Sequence, residues 1–150
     1  MRSYLAFAFA LSIIAGAPAI AMVQHTPGAH LNVLKCLPHR GAYSHNETYF
    51  DQYGNIFNRV APGRPSTLEI HYVNINALTA SEIDFGLVAR NVLVAQVTDA
   101  GTFSPGILID HEFDIPHEVF PLGTGLPQCV VLKVKYNDGS VWNNPKPPQP

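Results

Sequence analysis

The chain has 150 residues, the length of one domain, and its residues are 47% hydrophobic but only 13% charged. This composition excludes an intrinsically disordered acidic or basic protein. A formal net charge of −2 excludes a broad electrostatic surface for nucleic acid.

The first 21 residues have the features of a secretory signal peptide. Arg2 supplies a positive charge, residues 4–15 form an apolar run, and an Ala-x-Ala site ends at Ala21. A membrane anchor is the alternative, but Gly16 and Pro18 interrupt the run before it reaches spanning length. We therefore expect cleavage after Ala21, no membrane span in the mature chain, and a periplasmic or extracellular location.

The remaining chain divides by composition into an irregular part, a strand-rich part and a tail. Residues 22–66 are rich in Pro, Gly, His, Asn and Tyr, and they are predicted to be irregular apart from one strand at 31–37. Residues 67–144 are predicted to form the main β-structure. Residues 145–150 are predicted to be a proline-rich tail that frays. The strands predicted in the second part are 67–76, 81–89, 92–98, 107–113, 128–136 and 140–142.

Alternation of apolar and polar residues identifies these strands. In 67–76, Leu68, Ile70 and Tyr72 are predicted on one face, with Glu69 and His71 facing solvent on the other. The short turns at 90–91 and 137–139 contain Asn and Asn-Asp-Gly, which are typical of hairpins. No amphipathic helix is found, so the sequence predicts an all-β fold, an immunoglobulin-like two-sheet antiparallel β-sandwich. A small barrel is the alternative.

Two cysteines, Cys36 and Cys129, follow the signal peptide. In an oxidising compartment such a pair predicts a disulfide, and neither a CxxC redox motif nor a structural zinc set is present. Cys129 has the opposite parity to a run of apolar residues in its strand. We therefore expect the bridge at a sheet edge or at an end of the sandwich. The apolar run consists of Val130, Leu132, Val134 and Tyr136.

Six short motifs lie in order within residues 67–144. They are Tyr72-Val73-Asn74, Phe85-Gly86-Leu87, the run 101–106, the run 109–113, Pro127-Gln128-Cys129 and the run 136–142. On these motifs the chain resembles small exported bacterial proteins of uncharacterised function. The resemblance implies export and a β-sandwich, and it implies no activity and no site residues.

Histidine is abundant, with seven in the chain, and imidazole is the commonest metal ligand. A periplasmic copper- or zinc-binding protein is therefore the alternative function, with His25, His39 and His111 as weak candidate ligands. Cleavage after Met22 would place His25 third and create an amino-terminal copper motif, whereas cleavage after Ala21 does not. Because HExxH is absent and the histidines are scattered, no cofactor is predicted.

Catalytic motifs are missing from the sequence. It contains no Gly-x-Ser-x-Gly, P-loop or dinucleotide fingerprint. Asp110 and Glu112 share a strand face, but exposed carboxylates at this spacing are typical of a solvated surface. We therefore predict a protein that is not an enzyme.

Aromatic residues cluster beside Asn, Gln and Gly in the irregular segment. Tyr43, Tyr49, Phe50 and Tyr53 form a candidate interaction surface, since exposed tyrosines with such neighbours are typical of recognition surfaces. The alternative is that the segment wraps the sandwich and buries these rings. The expected function is binding or interaction, with an envelope protein or a surface polymer as the partner.

Overall fold

The computed structural model describes residues 26–150, and the predicted signal peptide and His25 lie outside this range. The described chain contains nine strands and one short 3₁₀ helix at His117–Val119, which confirms the all-β class. Among residues 26–150 there is no helix of the length and hydrophobicity needed to cross a membrane. The strands are β1 (Leu31–His39), β2 (His45–Phe50), β3 (Ile56–Ala61), β4 (Ser66–Asn74), β5 (Ala80–Ala89), β6 (Val92–Phe103), β7 (Leu108–Ile115), β8 (Gln128–Tyr136) and β9 (Val141–Asn143).

Two antiparallel sheets enclose one hydrophobic core, an arrangement consistent with a β-sandwich. The first sheet has the order β1-β4-β7 and the second has the order β6-β5-β8-β9. In β4 the residues Leu68, Ile70 and Tyr72 are fully buried and alternate with half-buried ones, as predicted. Ile83 and Phe85 of β5 complete the opposite wall of the core.

The predicted disulfide joins Cys36 of β1 to Cys129 of β8 across the two sheets, with their Cα atoms 6.0 Å apart. Both cysteines are buried within the core cluster. The predicted parity of β8 is wrong, because the pairing with β5 shifts by one residue around Leu132. Such a β-bulge inserts an extra residue and reverses which face the following side chains occupy. Cys129 and Val131 therefore share the core with Val134 and Tyr136, while Val130 and Leu132 do not.

Strand β6 forms one edge of the second sheet, follows a tight turn and contacts the end of the chain. Arg90 and Asn91 both have positive φ, which confirms the two-residue turn between β5 and β6. Strand β6 runs to Phe103, beyond the predicted end at Thr98. The Leu93 backbone amide donates to the Gln149 carbonyl at 2.8 Å. The tail, which the sequence predicted to fray, therefore contacts the start of β6 through Gln149.

The irregular segment predicted before residue 67 contains a hairpin. Strands β2 and β3 form a two-stranded antiparallel sheet of their own between β1 and β4, and we call residues 45–61 the arm. Strand β7 begins at Leu108, so Ile107 is exposed outside the strand in which it was predicted.

Candidate functional site

The far end of the arm exposes five large apolar side chains. We call this set the tip, and it consists of Tyr49, Phe50, Tyr53, Ile56 and Phe57. Tyr53 is 80% exposed and Phe50 is 65% exposed, although side chains of this size are usually packed. The interpretation that these rings pack against the sandwich is therefore not supported. Apolar groups concentrated on a surface are a feature of interaction sites.

The turn of the arm is held by Asp51. Its Oδ1 accepts hydrogen bonds from the backbone amides of Tyr53 at 2.8 Å and Asn55 at 2.9 Å. Its Oδ2 accepts from Asn55 Nδ2 at 2.8 Å, and the Asn55 bonds lower the pKa of the Asp51 carboxyl. Gly54 supplies the positive φ that the turn requires. The tip is thus displayed by a defined turn.

One face of the arm combines an aromatic pair with an ion pair. Tyr49 and Phe57 are direct cross-strand partners, and their ring centroids lie 5.5 Å apart. The Arg59 guanidinium carbon lies 5.7 Å from the Tyr49 centroid, and Arg59 Nη2 lies 3.0 Å from Glu47 Oε2. The hydrogen bond from Arg59 lowers the pKa of Glu47. The Tyr49–Phe57 cross-strand pair stabilises the hairpin by about 0.2–1 kcal/mol.

The opposite face is more apolar at the tip. Phe50 and Ile56 are cross-strand partners and both are exposed. Next to them, Thr48 Oγ1 donates to Asn58 Oδ1 at 2.7 Å. Since neighbouring strand residues point to opposite faces, the arm presents apolar groups on both sides.

The two segments that flank the arm, residues 41–44 and 62–66, are closely packed, and we call them the neck. Ala42 and Arg64 exchange backbone hydrogen bonds of 3.0 and 2.8 Å. A Cβ atom at Gly63 would lie 2.7 Å from the Ala42 carbonyl oxygen, so only glycine fits there.

Hydrogen bonds and a ring contact connect the neck to the 3₁₀ helix. Ser66 Oγ accepts a hydrogen bond from the Gly41 amide at 3.0 Å and lies 2.9 Å from His117 Nδ1. The Tyr43 ring packs on the His117 ring with centroids 4.6 Å apart. Tyr43 is exposed, but it lies at the neck and not at the tip.

A second cluster of polar side chains lies on the outer face of the first sheet. His71 Nε2 lies 2.8 Å from Glu69 Oε1 and 2.9 Å from Asp110 Oδ1. Lys35 Nζ donates to Glu69 Oε1 at 2.5 Å, and His39 Nε2 lies 3.2 Å from Glu69 Oε2. The Lys35 ammonium, followed by His39, lowers the pKa of Glu69 to about 2.

A third polar network joins the two sheets. The buried Tyr72 hydroxyl donates to Asp99 Oδ2 at 2.8 Å, and the same oxygen lies 2.6 Å from His111 Nδ1. Burial, followed by the Asp99 hydrogen bond, raises the pKa of Tyr72, so its hydroxyl remains a donor. This network is a second link between the sheets, in addition to the disulfide.

The predicted metal ligands do not assemble in the described part of the chain. His39 contacts Glu69, whereas His111 contacts Asp99 in the second sheet. Sequence reasoning placed His71 in solvent, but its side chain is only 23% exposed and lies between two carboxylates. The i, i+2 spacing of Glu69 and His71 was visible in the sequence, whereas their contact with Asp110 depends on the pairing of β4 with β7.

No protein-family model, curated protein or solved structure matches the chain. The functional interpretation therefore depends on the geometry of the arm and of the two polar clusters.

Proposed function

We propose that the protein is an exported, non-catalytic binding protein with an immunoglobulin-like sandwich, and that the tip of the arm is its recognition surface. The observation that carries the proposal is the exposure of five large apolar side chains on a hairpin built by specific turn and neck contacts. An isolated two-stranded hairpin is only marginally stable in water. Displaying apolar groups on such a hairpin lowers solubility unless a partner covers them.

Two features support the fold type and the location. The strand orders β1-β4-β7 and β6-β5-β8-β9 support an immunoglobulin-like sandwich in which the arm is inserted between the first two core strands and β6 joins the sheet of β5, β8 and β9. The disulfide supports export, because such bonds persist in oxidising compartments. The predicted signal peptide and the resemblance to small exported bacterial proteins agree with this proposal.

The chemistry of the tip favours a protein as the partner over a surface polymer. Phe50 and Ile56 form an apolar face, and Tyr49 with Arg59 forms an aromatic and cationic one. Aromatic residues and Arg are enriched at protein interfaces, where a few of them supply most of the binding energy. An envelope protein with an apolar groove is the partner that this surface fits best.

The proposal is tested with the double variant Tyr49→Ala/Tyr53→Ala. Tagged wild-type and variant proteins are purified gently from cells that produce them, and the envelope proteins and polymers retained by each are quantified. We expect the variant to lose a protein partner and to unfold at nearly the wild-type temperature, because both rings are exposed.

The matched control is His45→Ala, which changes an exposed residue of the arm away from the tip. Retention of the same partners by the double variant would contradict the proposal. Unfolding of the double variant would show that the rings are structural. Loss of a polysaccharide in place of a protein would identify a surface polymer as the partner.

A further inference from the structure

The outer face of the first sheet brings three metal-ligating side chains to one point. Glu69 and His71 are two residues apart on β4, so they project from the same face. Asp110 of β7 is the direct cross-strand partner of His71. Directly opposed residues have Cβ atoms about 4.5–5.5 Å apart, so two rigid strands fix all three side chains.

The ligand atoms are already close to metal-binding geometry. One atom from each of Glu69, His71 and Asp110 lies within 4.8 Å of the others, and this is the one such group found in residues 26–150. The two contacts to His71 Nε2 are 2.8 and 2.9 Å. In tetrahedral coordination with bonds of about 2.0–2.2 Å, neighbouring ligand atoms lie about 3.3–3.6 Å apart. A shift of about half an ångström at each contact is therefore sufficient.

We propose that Glu69, His71 and Asp110 form a three-ligand binding site for a divalent transition-metal ion. His39 Nε2 lies 3.2 Å from Glu69 Oε2, on the side of Glu69 away from β7, so it is not one of the three ligands. The set offers imidazole nitrogen and carboxylate oxygen without thiolate, which suits Zn²⁺ better than Cu⁺. Ca²⁺ requires six to eight oxygen ligands, and two carboxylates with one imidazole do not supply them.

Lys35 is the competitor at this site. Its ammonium contacts Glu69 Oε1, the oxygen that also faces His71, and 39% of the Lys35 side chain is exposed. A mobile surface lysine can leave this position when a doubly charged ion arrives, because a partly exposed ion pair contributes little free energy. Removing Lys35 should therefore strengthen metal binding, a result that a purely structural ion-pair network does not predict.

The experiment is a titration of the purified, metal-stripped protein with Zn²⁺ at neutral pH. We expect one ion per chain with a Kd of about 10 µM or tighter. Asp110→Asn, an isosteric change of an exposed residue, and His71→Ala should each weaken binding at least about tenfold. Lys35→Met should tighten binding several-fold. Glu112→Gln on the same face and His45→Ala on the arm are matched controls that should leave it unchanged.

Several outcomes would overturn the proposal. They are a Kd for Zn²⁺ weaker than about 1 mM in the wild type, equal binding by Asp110→Asn, and weaker binding by Lys35→Met. Co²⁺ gives an independent readout, since tetrahedral Co²⁺ absorbs visible light more strongly than octahedral Co²⁺, and Asp110→Asn should lose this absorption. The site is separate from the tip, so Tyr49→Ala/Tyr53→Ala should bind Zn²⁺ like the wild type. Failure of one proposal is therefore distinguishable from failure of the other.

Discussion

Removal of the disulfide should cost the protein a large part of its stability. Cys36 and Cys129 are 93 residues apart in sequence, so their bond closes a long loop in the unfolded chain. Chain-entropy theory gives about 4–5 kcal/mol for a loop of this length. A domain of this size has a total free energy of unfolding of about 5–15 kcal/mol. The variant Cys36→Ala/Cys129→Ala should therefore be only marginally folded at room temperature.

The assay is urea unfolding followed by the fluorescence of Trp142, the chain's only tryptophan, which packs against the core. The free energy of unfolding of the variant should be lower by about 4–5 kcal/mol, plus about 1 kcal/mol for the two missing sulfur atoms. The m-value should rise, because an unfolded chain without the cross-link exposes more surface. A loss below about 1 kcal/mol with an unchanged m-value would refute this reasoning.

Three further changes test the polar contacts and the neck. Tyr72→Phe removes a donor from the buried Asp99 carboxylate and should lower the free energy of unfolding by about 1–3 kcal/mol in urea. The Lys133 hydrogen bond lowers the pKa of Glu82 in the folded state. The pair therefore stabilises the fold when the pH is above the ordinary carboxyl pKa. This stabilisation is lost as the pH falls through the lowered pKa of the folded state. Glu82→Gln should therefore lower the unfolding temperature more at pH 7 than at about pH 3. Gly41→Ala should place a methyl group against the backbone of the facing neck segment, cost about 1–3 kcal/mol, and speed hydrogen exchange in the arm.

Each of these predictions has a matched comparison. Tyr136→Phe also removes a buried hydroxyl, but its bond to the Ala29 carbonyl is long at 3.4 Å, so it should cost less than Tyr72→Phe. Gly125→Ala adds a methyl group that meets nothing within 4 Å, and it should not change exchange in the arm. A Glu82→Gln effect of equal size at both pH values would show that the ion pair is not its cause.

The sandwich strands were predictable wherever one face is buried and the other is not. The alternation of Leu68, Ile70 and Tyr72 with polar residues survives in the structure because β4 packs one face on the core. In β8 the same pattern was misleading. The bulge at Leu132 depends on how β8 pairs with β5, and a periodicity within one strand contains no information about its partner.

The arm was not predicted as a hairpin for a related reason. Neither of its faces is buried, so the strands show no alternation of apolar and polar residues. A local signal was present in Asp51 and Gly54, which build the turn. The exposure of Tyr49, Phe50 and Tyr53 is a tertiary property, and the sequence left both burial against the sandwich and a recognition surface open.

Only part of the polar cluster on the first sheet could be predicted from the sequence. Glu69 and His71 share a face by their spacing, but Asp110 is brought to them by the register of β4 with β7. His39 reaches Glu69 from β1 by a further pairing. Cross-strand ligand sets of this kind depend on long-range pairing, which the spacing of residues within one strand does not determine.

The central claim, that the tip contacts a partner, is tested most directly by photo-crosslinking in cells that produce the protein. Benzoylphenylalanine is placed at Tyr53 in one variant and at Ile107, an exposed apolar residue away from the arm, in another. We predict a discrete protein adduct from position 53 that is absent from position 107 and is lost when Phe50→Ala is added. Adducts that are equal from both positions, or absent from position 53, would contradict the assignment of the tip as the recognition surface.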